Sequence, residues 1–278
     1  MTISVLLLFI VGLTLISFGA NMLVSSTENI SEKYNISYFL SSFIFIGLAT
    51  SSPEIFISII SSLDGKSNIA IGNALGSNIT NIALVLALSY LLIKKDILPI
   101  KKNIDKETYG FIFFLIIISI VIIPLLSDGI LSSNEAIFLI VAFFTLVFLY
   151  KKFFYQQNHD RQKNMLSSYG NGLRIILALL FGLSILLIGT ELFLNSSISL
   201  AKYFNISDYI IGLSITAIGT SIPELASSIE SVRKKNVDFI VGNILGSNIF
   251  NFTIVISAAG LFSFAQEPLF IVDLIRDM

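Results

Sequence analysis

The 278-residue chain has no cysteine, no tryptophan and a single histidine. Without cysteine it can hold no disulfide, no thiolate-bound zinc and no thiol nucleophile. The one histidine, His159, lies in the most polar stretch of the chain and reads as a solvated side chain rather than a metal ligand. Charge is also scarce. Asp, Glu, Lys and Arg make up 13% of residues, where a soluble domain carries about 25%. Such a chain cannot cover its surface with polar groups, so water is not its only solvent. The net charge of −1 gives no field that would draw nucleic acid. No nucleophile–base pair stands in a cavity-forming segment, so nothing supports an enzyme, and no cofactor is implied.

What the chain does have is long uncharged runs. Residues 1–27, 67–93, 108–127 and 239–266 contain no Asp, Glu, Lys or Arg. About 20 apolar residues span a bilayer as a helix. The alternating ten-residue segments of a membrane β-barrel do not occur. The expectation is an all-α polytopic membrane protein whose partner is the lipid bilayer. Spans are expected at about 2–24, 37–63 (broken near Thr50–Pro53), 68–93, 109–127, 135–150, 173–195, 207–232 and 239–263. The first is not read as a signal peptide, because no basic region precedes it. Residues 151–172 read as a polar loop joining two halves. The tail after Gln266 is too short to cross and is expected to lie at the interface as a short helix.

An internal repeat organises everything else. Residues 47–54, Gly-Leu-Ala-Thr-Ser-Ser-Pro-Glu, return at 217–224 as Ala-Ile-Gly-Thr-Ser-Ile-Pro-Glu, an offset of 170. Residues 72–81 and 242–251 agree at eight of ten positions under the same offset. Gly12, Leu13 and Gly19 match Gly182, Leu183 and Gly189, and Asn35-Ile36-Ser37 matches Asn205-Ile206-Ser207. The division is therefore a first repeat over 1–150, a linker over 151–172 and a second repeat over 173–278. On this register two more spans would fall at 279–297 and 305–320. With the N-terminus outside, the inner loops carry 14 of the 17 Lys and Arg residues, as the positive-inside rule requires. That places the 151–172 loop in the cytoplasm and the protein in the plasma (inner) membrane. An odd number of spans separates equivalent points of the repeat, so the halves are inverted. Inverted repeats mark secondary transporters, with sites near the midplane where the repeats meet.

The repeated segments carry chemistry. Glu54 and Glu224 put carboxylates inside membrane spans, where ionisable groups face a cavity or a partner. Thr50 shares a helix face with Glu54, Ser77 with Asn81, and Ser247 with Asn251. Pro53 and Pro223 lack an N–H and displace carbonyls four residues back, which frees backbone oxygens near 47–49 and 217–219. Irregular backbone at membrane depth survives only where it lines a cavity or is buried in protein. Gly72, Gly76, Gly242 and Gly246 form two GxxxG pairs suited to close helix approach. The donors are all oxygen, which suits a hard cation, and calcium takes six to eight such ligands. Two carboxylates balance one Ca2+ or two Na+, the arithmetic of an exchanger.

Together these motifs resemble the α-1 and α-2 repeats of the calcium/cation antiporter superfamily, the sodium/calcium exchangers, over about residues 1–265. The resemblance implies ten spans, inverted halves, and Na+ and Ca2+ as substrates. It implies that they are held by Glu54 and Glu224 with Thr50, Ser51, Ser77, Asn81, Thr220, Ser221, Ser247 and Asn251, and by carbonyls at Gly47 and Ala217. It also implies that the first and sixth spans slide against the core. The chain departs from the pattern in having Ala49 in place of glycine, in having Asn251 where some relatives carry Asp, and in lacking the last two spans. Two alternatives stay open: a proton/calcium antiporter, since two buried carboxylates can take up protons, and a truncated, non-transporting cation-binding membrane protein. Oligomeric state is not legible. Glu191 and Glu230 lie near span ends, align with Asn21 and Ile60, and are expected to snorkel or pair. Helix capping by Ser37 and Ser207 is expected to explain the repeated Asn-Ile-Ser triplet.

Overall fold

A computed structural model describes residues 2–93, 106–127, 131–153, 171–206 and 217–262. Among these residues every regular element is helical. Helix α1 covers Thr2–Tyr34, α2 Tyr38–Thr50, α3 Ser52–Leu63, α4 Ser67–Leu92, α5 Lys106–Leu125, α6 Ser133–Phe153 and α7 Gly172–Tyr203. Then follow the short α8, Ala217–Gly219, with α9 over Ile222–Arg233 and α10 over Val237–Phe262. Five of these helices are long and apolar enough to span a bilayer, and α2 with α3 makes a sixth span bent by 43°. The expected tail helix and the cap at Ser207 lie outside the described residues.

The apolar runs located the spans but not their ends. α1 and α7 have 33 and 32 residues, about 50 Å each, and extend past the expected 24 and 195. Their last turns are polar, and polar residues near a helix end do not stop it. α1 stops at Tyr34 because Asn35 takes φ 54°, the left-handed conformation that ends helices. Asn205, its repeat-mate, takes φ 57° and ends α7. Ser37 then opens α2 by accepting the Leu40 N–H at 3.1 Å, which accounts for the repeated triplet. The polar linker also starts later than expected, since α6 continues to Phe153.

Close packing in a membrane depends on shape, because lipid is as apolar as the side chains. α1 and α7 show this. A Cβ on Gly12, Gly19, Gly182 or Gly189 would sit within 3.0 Å of atoms of the facing helix. The four matched glycines thus set the α1–α7 contact. Beside it lie Leu23, Val24, Ile46, Leu186 and Phe239. α10 is the central helix: 83% of its apolar window is buried, against 28% for α4. α5 and α6 pack on it through Phe111, Ile118, Phe143, Ile249, Phe250 and Ile256. Gly242 and Gly246 meet α2, where a Cβ would come within 2.4 Å of the Phe39 carbonyl and 2.7 Å of the Phe43 carbonyl. At Gly72 and Gly76 no described atom lies within 4 Å of where a Cβ would point. Their counterpart segment, at 209–216, is outside the described residues.

Candidate functional site

Each acid is the third residue of a helix that begins in the interior. α3 opens Ser52-Pro53-Glu54 and α9 opens Ile222-Pro223-Glu224. Proline fits these first-turn positions because its missing N–H would have had no intrahelical partner. The positive end of each helix dipole favours a carboxylate there. The freed carbonyls differ from the sequence expectation. Ala49 is not available, since Ser52 Oγ donates to its carbonyl at 2.7 Å. The equivalent residue in the second half is Ile222, which has no hydroxyl to do this. The Gly47 carbonyl accepts the Ser51 N–H at 3.1 Å and the Thr50 and Ser247 hydroxyls at 3.4 Å. The last two are long enough to exchange for another partner.

The two motifs of each half meet those of the other. The Thr50 and Ser247 hydroxyls are 3.2 Å apart, and the Thr220 and Ser77 hydroxyls are also 3.2 Å apart. These two pairs exchange under the 170-residue offset, as an internal two-fold demands. Ser77 donates to Glu54 Oε1 at 3.2 Å. Neither carboxylate oxygen of Glu224 has a hydrogen-bond partner. Thr50 also donates to Asn243 Oδ1 at 3.3 Å. Thr50, Ser51, Ser77, Asn81, Ser221, Ser247 and Asn251 are buried, Thr220 is half-buried, and the backbone of Ala217 opens α8 one turn before Ser221.

The helices carrying the amides widen where the amides sit. π-helical turns begin at Asn81 and at Asn251, a local feature common at functional sites. Asn81 and Asn251 interlock with other amides. Asn81 Nδ2 donates to Asn248 Oδ1 at 3.1 Å, and Asn251 Nδ2 donates to Asn78 Oδ1 at 3.0 Å. Asn243 donates to the Glu224 carbonyl at 3.1 Å and to Ser228 Oγ at 3.0 Å. Asn78, Asn248 and Asn243 were missed by the search for shared helix faces. The repeat marks Asn78 and Asn248 itself, since both stand at identical positions of the ten-residue motif.

With the Nδ2 atoms of Asn81 and Asn251 tied up, their oxygens remain. Glu54 Oε2, both Glu224 carboxylate oxygens, Asn81 Oδ1, Asn251 Oδ1, Ser51 Oγ and Ser221 Oγ are buried without a hydrogen-bond partner. These seven atoms fall into three repeat-related residue pairs, 51/221, 54/224 and 81/251. An unpaired buried polar atom costs about 1–3 kcal/mol and a buried charge more. A cluster of them that obeys the internal symmetry is not a packing accident. Among the described residues no group of three or more acidic or histidine side chains occurs, so the cluster's formal charge rests on two carboxylates.

An all-helical membrane protein built of two halves that meet through such matched motifs belongs to the class of membrane exchangers. The sodium/calcium exchanger protein family matches this chain over residues 4–151 and 174–276, and the chain belongs to that family. It is 34% identical to the inner membrane protein YrbG of Escherichia coli (strain K12), covering 91% of this chain and 78% of that one. It is 28% identical to the sodium/calcium exchanger MaX1 of Methanosarcina acetivorans, over 95% and 85%. Its fold matches the sodium-calcium exchanger NCX_Mj soaked with zero Na+ and Ca2+. The TM-score is 0.80 at 29% identity, covering 97% of this chain and 85% of that one.

Proposed function

We propose that the protein is a secondary antiporter that exchanges Na+ for Ca2+ by alternating access, binding its ions between the halves near Glu54 and Glu224. The observation that carries this reading is the symmetric set of seven unpartnered buried oxygens. Their number and hardness suit calcium, and their two negative charges suit one Ca2+ or two Na+. The ligand set includes Thr50, Ser77, Thr220 and Ser247, with carbonyls of Gly47 and Ala217. Asn78 and Asn248 hold the two amides with their oxygens turned inward. α1 and α7, one from each of the repeats 1–150 and 173–278, slide against the remaining helices to switch access, and 151–172 links the repeats.

Binding precedes exchange, so the first test is thermal. A ligand that binds only the folded state raises stability with concentration, by about 2.7 kcal/mol at a hundred times Kd. Purified protein should melt higher in millimolar Ca2+, and Na+ should compete for that shift. No shift at millimolar calcium, or a shift that sodium leaves untouched, would contradict the proposal. Asn78→Ala or Asn248→Ala removes the acceptor that orients an amide, and is expected to weaken calcium affinity about tenfold, as loss of an outer-shell partner typically does. A titration of the melting shift reads this.

The orientation follows from the 14 Lys and Arg on one side. We place the N-terminus outside and the 151–172 loop in the cytoplasm, with the protein in the plasma membrane. The absence of native cysteine gives a clean background. Cysteine introduced at Asn158 should react with a membrane-impermeant thiol reagent only after the membrane is opened. Reaction in intact cells would invert the assignment.

A further inference from the structure

Polar contacts join residues 17–28 of α1 to the C-terminal end of α9. Asn21 Nδ2 donates to Glu230 Oε1 at 2.6 Å, and Arg233 Nη1 meets Glu230 Oε2 at 3.2 Å. Arg233 also reaches Ser17 Oγ at 3.5 Å, and Lys234 Nζ pairs with Glu28 Oε2 at 2.7 Å. Glu230 is 6% exposed, so it is an acid buried against a neighbouring helix, outside the cluster around Glu54 and Glu224. Nearby, α1 and α7 meet α2 and α9 mainly through apolar residues, Ile16, Ala20, Leu23, Ile46, Ala49 and Ala226, apart from the end of α1, where the Tyr38 hydroxyl of α2 donates to Glu32 Oε1 at 3.0 Å. The apolar part has no directional bonds and little resistance to a shift. The polar contacts fix the position of α1 where the apolar ones do not.

The second half has no counterpart to this clasp. Under the 170-residue offset, Glu230 and Arg233 correspond to Ile60 and Leu63 on α3, and Asn21 to Glu191 on α7. Ile60 and Leu63 can make no hydrogen bond to α7. Where two inverted repeats rock around a fixed site, the second access state is reached by exchanging the conformations of the halves. In that state the bonds of α1 to α9 would have to be replaced by bonds of α7 to α3, and the side chains for them are missing. The two states are therefore unequal in this molecule.

Resting on the exchange reading above, we infer that Asn21, Glu230 and Arg233, with the Glu28–Lys234 pair, form a one-sided latch. It holds the α1–α7 pair against α9 in one of two positions and biases the protein toward that access state. Glu230 is thus a positioning residue that does not touch the ions.

The test reads position rather than transport. Spin labels on Asn29→Cys in α1 and Tyr90→Cys in α4, both exposed, report the distance of α1 from the core by pulsed electron resonance in lipid nanodiscs. The parent should show one dominant distance. Glu230→Ile, which installs the residue type of the other half, and Asn21→Ala should raise the share of a second distance at least tenfold relative to the first. Glu230→Gln, whose amide oxygen can still accept from Asn21, should stay nearer the parent. Should Glu230→Ile fail to accumulate, the partly exposed pair decides. Glu28→Lys alone should shift the distribution, and Glu28→Lys with Lys234→Glu should restore it. Unchanged distances in folded Glu230→Ile and Asn21→Ala, or in Glu28→Lys, would overturn the latch. The readout needs no ion flux, so a protein that shifts its distances but exchanges no calcium would refute the transport reading and leave the latch standing.

Discussion

Glu54→Gln and Glu224→Gln are each expected to reduce calcium exchange at least a hundredfold while leaving the protein folded. The two effects have separate causes. A carboxylate about 4 Å from another unit charge contributes about 4 kcal/mol at an effective dielectric near 20, and every 1.4 kcal/mol is tenfold in affinity. With only two carboxylates in the cluster, losing one removes half of the charge that faces a divalent ion. The fold has no such need of them. Glu54 accepts one hydroxyl, from Ser77, and Glu224 has no hydrogen-bond partner. A glutamine oxygen can accept from Ser77 as well as the carboxylate does. Removing a buried charge that lacks a partner tends to stabilise a fold. The ion-free variants should therefore melt no lower than the parent, yet show no calcium-dependent shift. Glu191→Gln, on the exposed face of α7, should exchange like the parent. A Glu54→Gln protein with wild-type flux would remove that residue from the site.

Gly246→Val should be strongly damaging to the fold. A Cβ at 246 would stand 2.7 Å from the Phe43 carbonyl, and the Gly47 backbone packs on this same spot. Backbone cannot rotate out of the way as a side chain can. Overpacking a fitted core costs about 1–3 kcal/mol, and here the facing segment carries Gly47 and Thr50. The variant should lose both thermal stability and calcium binding. Melting curves of the detergent-solubilised variant and the parent make the comparison. An unchanged melting temperature would mean that the contact of α10 with α2 is looser than described.

Much of this architecture was legible in the residues, for reasons that can be named. Uncharged runs locate spans because a bilayer excludes charge, and the 170-residue offset shows which residues play matched parts. The offset reached even the backbone: Asn35 with Asn205, and Gly65 with Lys235, are repeat-mates with positive φ. What escaped were features set by contact between elements. The ends of α1 and α7 depend on left-handed stop residues rather than on the loss of hydrophobicity. The Ala49 carbonyl seemed free until Ser52 was seen to cap it. Asn78 and Asn248 are not among the expected ligands, because helix spacing says which residues share a face, not which amide in another helix receives a hydrogen bond. Glu230 was expected to pair and does, with Arg233 and Asn21.

The central claim is that an opposing sodium gradient drives calcium through a site containing Glu54 and Glu224. The direct measurement is initial uptake of radioactive calcium by proteoliposomes loaded with sodium, compared with vesicles that have sodium outside or none. Rapid uptake only with sodium inside, abolished in Glu54→Gln, is the predicted result. Uptake that ignores sodium and follows an imposed pH difference, or that proceeds equally in Glu54→Gln, would contradict it.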